Sequence, residues 1–270
     1  MNFKKASIPY VIWVGIFVVI PVLLIMYFAV TDVSGRFTLQ NLIRVGDYSK
    51  IFLRSILLGG VATFVCLVLG YPFAYIISKL KVNKQGLFIL LLMLPMWMSF
   101  LLRTYAWMTL LENNGIINRF LGLFGIGPFQ MINTQGAVVL GMVYNFLPYM
   151  ILPIYSVVTK LPKHAIEAAQ DLGANRKMVF MKVILPLSVP GIISGVTMVF
   201  VPSVSTFIIS KMLGGGSNLL IGDLIEMKFL GSSYNPHLGS AISLVLMVLI
   251  LICMGIMNRV DGSEDTSVVK

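Results

Sequence analysis

The chain has 270 residues, 58% of them apolar and 11% charged, with a mean hydropathy of +0.93. A soluble domain carries about a quarter charged residues, so this composition describes an integral membrane protein. The net charge of +10 has too little polar surface around it to form a nucleic-acid groove, and nucleic acid is not an expected partner. Cys66 and Cys253 both lie inside apolar runs, which leaves no disulfide framework, redox pair or zinc cluster.

A bilayer core of about 30 Å takes roughly 20 apolar residues in a helix. Six stretches meet that length: 8–30, 53–77, 87–110, 137–158, 189–209 and 239–257. They predict an all-α membrane protein organised as one transmembrane domain over 1–270. The first stretch follows Lys4 and Lys5 but far exceeds a signal h-region of about 7–15 residues, so it is expected to remain as an anchor. Prolines recur within the spans, at Pro21, Pro72, Pro95, Pro148, Pro153 and Pro202, and predict bent helices that rely on their neighbours for hydrogen bonds.

Twelve of the 20 Lys and Arg residues fall in the N-terminus, the 79–86 turn, the 160–187 loop and the C-terminal tail. By the positive-inside rule both termini are expected in the cytoplasm. No Asp, Glu or His lies in any of the six apolar cores. Proton- or sodium-coupled carriers usually place such a group near midplane, which argues against an autonomous secondary carrier. Arg103 is the one charge well inside a run, and is expected to snorkel at the outer interface or bond backbone carbonyls.

The polar segment KLPKHAIEAAQDLGANRKMVFMKVILPLSVPGI, 160–192, is too charged to span. Pro162 suits a first helical turn, Ala165, Ala168, Ala169 and Leu172 make an apolar face, and Gly173 stands where a left-handed C-cap belongs. Asn175 can cap a second short helix, and Leu185-Pro186 is expected to turn the chain back into the membrane. Glu167 and Asp171 are like charges four apart on one face, mildly repulsive without a basic partner. A helix–glycine–helix elbow between two spans is a rigid lever with a surface open to close approach.

Glu167-Ala168-Ala169, Gly173, Phe180, Leu185-Pro186 and Pro190-Gly191 resemble the EAA loop of the membrane permease subunits of bacterial binding-protein-dependent ABC importers. The resemblance implies a MetI-like permease fold in the bacterial inner membrane, with a cytoplasmic coupling helix. Glu167, Ala168, Ala169, Asp171, Gly173 and Ala174 would then contact an ATPase subunit. It further implies a heterodimer with a second, homologous permease, two ATPase subunits that hold ATP and Mg, and an extracytoplasmic substrate-binding protein. No cofactor is expected on this chain: the Gly214-Gly215-Gly216 run lacks the Lys-Ser/Thr of a Walker A loop and reads as a turn. His164 and His237 lie on opposite sides and assemble no catalytic constellation, so the chain itself is expected to be non-catalytic.

LGYPFA at 69–74, LLRTYAW at 101–107, NGIIN at 114–118 and GGGSNLLIG at 214–222 are similar to the spermidine/putrescine branch of that family. A polyamine substrate is implied by this resemblance, while thiamine, ferric iron, a phosphonate or an oxyanion remain open alternatives. Aromatic faces hold cations by about 0.5–2 kcal/mol per contact, which makes Trp97, Tyr105, Tyr144 and Tyr149, with Trp107, candidates for a cation path. Glu112, Asp223 and Glu226 are candidates to receive amines at its outer mouth.

Overall fold

The computed structural model describes residues 8–265 other than 217 and 232. Lys4 and Lys5 and the last five residues, on which part of the orientation argument rests, lie outside the described residues. Among the described residues the chain is helical, with one isolated bridge between Thr31 and Phe37. Four helical stretches are long and apolar enough to cross a membrane unbroken: α1 (Pro9–Ala29), the run Gln40–Ser78, which joins α2 (Gln40–Val45) to α3 (Ser49–Ser78), α7 (Gln135–Val158) and the apolar part Pro236–Met257 of α13 (Pro236–Asp265). Two bent helix pairs, Val82–Trp97 with Phe100–Gly122 and Arg176–Leu187 with Val189–Ser205, bring the number to six when each pair is counted as one span.

The third span is not the single rod expected over 87–110. It begins at Val82 as α4 (Val82–Met93), tightens into a 3-10 turn at Leu94–Trp97, and resumes at 86° as α5 (Phe100–Leu111) and α6 (Ile116–Gly122). Pro95 has no N–H for the carbonyl four residues earlier, and Met98 and Ser99 are both extended, with ψ of 150° and 133°. The fifth span also differs from expectation. Its upper helix α10 (Val189–Ser205) ends when Thr206 becomes extended, and a separate helix α11 (Ile208–Leu213) follows. Helix α8 (Lys163–Asp171) follows the fourth span, α9 (Arg176–Val179) opens the bent pair that continues into α10, and α12 (Ile221–Phe229) lies between α11 and the last span.

Helices α3, α7 and α10 pack against one another and form the centre. In α7 56% of the most apolar window is buried, against 0% in α1, whose later turns alone rest on α13. Lipid offers apolar helices no hydrophobic incentive to associate, so close van der Waals fit has to supply it. The small residues serve that fit. A Cβ on Gly195 would meet the Met150 sulfur at 2.8 Å and its carbonyl oxygen at 3.0 Å, and one on Gly59 would meet Val204 at 2.7 Å. Met142, Met150, Ile151 and Ile154 of α7 are wholly or almost wholly buried in the same seam.

Gly195→Val should therefore separate α10 from α7. Overpacking of this kind costs about 1–3 kcal/mol, and the melting temperature of the detergent-purified protein should drop by several degrees, whereas Gly60→Val, which meets nothing within 4 Å, should leave it unchanged.

Candidate coupling elbow and translocation path

The elbow begins where Pro162 stands just outside α8 at its N-cap, with ψ of 119°, and not within its first turn. Helix α8 closes with a two-bond Schellman cap: the Ala174 N–H donates to the Ala169 carbonyl at 3.0 Å and the Gly173 N–H to that of Gln170 at 2.9 Å. Gly173 takes φ of +83°, a left-handed conformation that costs a residue with a Cβ about 1–2 kcal/mol. The half-buried side of α8 is Ala165, Ile166 and Ala169. Ala168 and Leu172, expected on that same apolar face, point outward, and Leu172 is 89% exposed. Glu167 and Asp171 are exposed beside them, so an apolar step flanked by two carboxylates faces away from the bundle.

Asn175 caps the second arm, accepting from the Met178 N–H at 2.9 Å. That arm does not turn at Leu185-Pro186. A π-turn over Phe180–Ile184, closed by the Leu185 N–H on the Phe180 carbonyl, carries the helix past Pro186, and the 62° bend falls at Ser188. The wider turn accommodates a proline whose ring would collide with a regular α-helix. Ser188 is fully buried: its hydroxyl donates to the Leu185 carbonyl at 2.8 Å and receives the Tyr71 hydroxyl of α3 at 2.8 Å. Phe180 lies edge-on to Tyr71 and Tyr75, with centroids 5.7 and 5.4 Å away. The roles of Tyr71 and Ser188 were missed in the sequence because they are 117 residues apart.

The aromatic candidates do not all meet. Trp107 of α5 and Tyr144 of α7 pack edge-on at 5.3 Å, and Tyr149 reaches Phe146 at 6.5 Å. Trp97 and Tyr105 are exposed and make no ring contact among the described residues, because the 86° break carries Trp97 away from the turns of α5. Pro148 and Pro153 lie inside α7 and lack the N–H that would serve the carbonyls of Tyr144 and Tyr149 four residues earlier. Both tyrosines thus pair an aromatic face with a main-chain acceptor freed of its usual donor.

Arg103 does not snorkel. It is 8% exposed, lies 5.9 Å from the Phe100 ring centroid, and shares a cavity of about 200 Å³ with Leu91, Pro95, Tyr144, Leu147 and Pro148. Its Nε, with Asn145 Oδ1, Ser203 Oγ and Asp223 Oδ1, is buried without a hydrogen-bond partner among the described residues. Each such atom costs about 1–3 kcal/mol.

The acidic candidates separate as well. Glu112 ends α5 as an exposed residue, and its carbonyl is held by Gly115 and by the buried Asn118, whose amide also fixes Phe129 in both directions. Asp223 is 3% exposed and not an open rim acid. One oxygen accepts the Leu220 N–H at 2.8 Å and caps α12, while the other faces a cavity of about 170 Å³ lined by Ser210, Lys211, Asn218 and Glu226. Lys211 bonds both Glu226 oxygens, at 2.8 and 3.0 Å. Burial holds the Asp223 carboxyl above the usual carboxylate range. The glycine run forms a turn as expected, with positive φ at Gly215 and Gly216.

Over residues 3–262 the chain matches the family described as binding-protein-dependent transport system inner membrane component. It is 38% identical over 271 residues to the spermidine/putrescine transport system permease protein PotB of Haemophilus influenzae, covering 96% of this chain and 94% of that protein. With PotB of Escherichia coli the identity is 39% over 255 residues, 91% of each chain. Among solved structures, a bacterial ABC transporter involved in the import of the acidic polysaccharide alginate aligns with a TM-score of 0.81 at 15% identity, over 96% of this chain and 94% of that one. The MetNI methionine ABC transporter aligns with a TM-score of 0.57 at 15% identity, over 78% and 93%. The predicted MetI-like permease fold is thus the fold observed.

A carboxyl raised by burial contributes stability below its unfolded-state pKa that is lost as pH rises through the folded value. Asp223→Asn keeps an oxygen for the Leu220 N–H and removes the buried charge. Its melting temperature should equal or exceed that of the unsubstituted protein at pH 7, with the difference closing toward pH 4.

Proposed function

This chain belongs to the binding-protein-dependent transport system inner membrane components, and from that premise we propose that it is one permease of an ATP-driven importer of polyamines such as spermidine and putrescine. A second, homologous permease completes the membrane pair, two ATPase subunits bind ATP and Mg and dock on the elbow, and a binding protein delivers substrate outside. Both termini and the elbow face the cytoplasm.

The observation that carries the coupling role is the outward step of Ala168, Leu172 and Gly173 on a helix whose other side packs on α9 and the Phe180–Ile184 turn. Force applied there passes through Phe180 and Ser188 to α3 and α10. Glu167 and Asp171 would meet basic groups of the ATPase and the small Ala168 keeps the approach close, while Ala169 and Ala174, expected at that contact, stand on the half-buried side. The polyamine assignment is supported by 38–39% identity to proteins named spermidine/putrescine permeases, over nearly the whole chain. The path would run past Tyr144 and Tyr149, with Trp97, Tyr105 and Glu112 nearer its mouth and Asp223 beside the outer cavity. Ring faces and carbonyls each bind an ammonium group weakly, which suits passage better than a deep carboxylate trap.

In the complete complex reconstituted with its binding protein, spermidine or putrescine should stimulate ATP hydrolysis, and thiamine, ferric iron and phosphonates should not. Gly173→Val should insert normally, because among the described residues nothing lies within 4 Å of an added Cβ, yet ATPase retention and uptake should fall about tenfold. Normal values for both would remove the elbow from coupling. Orientation is tested separately: Leu172→Cys should react with an impermeant maleimide only from the cytoplasmic side and Tyr234→Cys only from outside.

A further inference from the structure

A cavity borders the elbow on the side opposite its docking step. It measures about 460 Å³ and is lined by the end of α3, the start of α4, the end of α7, the first turns of α8 and Ile184. Lys79, Lys81 and Lys163 line it, and no acidic side chain does so among the described residues. The Lys79 ammonium lies 5.3 Å from the centroid of the Tyr75 ring, another wall residue.

Two membrane helices end here, and carbonyls at a helix C-terminus would ordinarily repel an anion. They are occupied. Gln85 donates to the Ser78 and Leu80 carbonyls at 3.1 and 2.8 Å, and its own oxygen accepts the Tyr155 hydroxyl at 2.9 Å. The Tyr155 carbonyl takes the Thr159 N–H and hydroxyl. The wall is therefore braced, its acceptors are masked, and its free charges are ammonium groups. The volume falls within the range of about 300–1,000 Å³ typical of small-molecule sites, more than a single inorganic ion needs. Three helices that cross the bilayer start or end at its rim, which sets it at headgroup depth.

We propose that this cavity binds the phosphodiester headgroup of an anionic inner-leaflet phospholipid, and that the bound lipid ties the turn between α3 and α4 to the coupling helix. The proposal rests on the cytoplasmic placement of the elbow. Basic pockets between membrane helices on that side are suited to such headgroups. Because Lys163 and Ile166 of α8 share the cavity with Lys79 and Lys81 of the turn, an occupied site would fix the elbow against the bundle and stiffen the path from ATPase to spans.

The test uses the complete importer complex in nanodiscs of phosphatidylcholine alone or with phosphatidylglycerol, read by native mass spectrometry and by polyamine uptake in matching vesicles. A lysine near an anionic headgroup counts for about fivefold in affinity, so Lys79→Gln/Lys81→Gln should retain phosphatidylglycerol roughly 25-fold less well and lose the lipid-dependent part of uptake. Lys79→Arg/Lys81→Arg should restore both. Unchanged lipid retention in the glutamine variant would overturn the proposal. So would millimolar inorganic phosphate in phosphatidylcholine discs reproducing the lipid's effect, which would make the ligand a free anion. Loss of ATPase subunits from the glutamine variant in phosphatidylcholine discs would overturn it too, by assigning the lysines to subunit docking. If Gly173→Val behaves normally while the lysine variant still loses lipid, the coupling reading fails and the lipid site stands.

Discussion

Ser188 sits, fully buried, at a bend flanked by two prolines. Pro186 and Pro190 supply no N–H, so the carbonyls of Lys182 and Pro186 lose their helical donor, and the bend has to be held by other bonds. The Ser188 N–H is shared between the Ile184 and Leu185 carbonyls at 3.0 and 3.1 Å, and its hydroxyl bonds Leu185 while receiving Tyr71. The bend is therefore a bonded joint and not a hinge of loose chain. The direction of α10, the seat of Phe180 between Tyr71 and Tyr75, and the outward pose of α8 all depend on it.

The opposite end of the molecule solves the same backbone problem differently. The third span breaks outright at Met98 and Ser99, and α10 stops at Thr206, leaving α5, α6, α11 and α12 as short helices around the ends of the core. Their loops are fixed by single polar side chains: Asn118 holds Phe129, and Asp223 caps α12. The buried side-chain polar atoms without partners among the described residues lie on α5, α7, α10 and α12, whereas the Ser188 hydroxyl at the elbow's joint is bonded on both sides.

The apolar stretches, the family and the capped elbow were legible in the sequence because each depends on local features. Apolar length sets a span, and Pro162, Gly173 and Asn175 act through bonds within five residues of themselves. Periodicity misassigned Leu172 because a Schellman cap rotates the chain at the last turn, so that helical spacing no longer predicts the face. The break at Met98 was not readable either, since a proline within an apolar run gives the same composition whether the helix kinks or stops.

The sequence by itself determined the solvent this chain lives in, the apolar stretches that can cross it and the caps of the polar elbow, since these follow from hydropathy and from hydrogen bonds between near neighbours. Only the tertiary structure decided which candidates stand together. It joined Tyr71 to Ser188 and Trp107 to Tyr144, drew Asp223 and Arg103 inward, and left Trp97 and Tyr105 apart. Those outcomes depend on the angles at which helices cross. The angles are set by close fits such as Gly195 on Met150, a property of two surfaces together that neither strand of sequence carries alone.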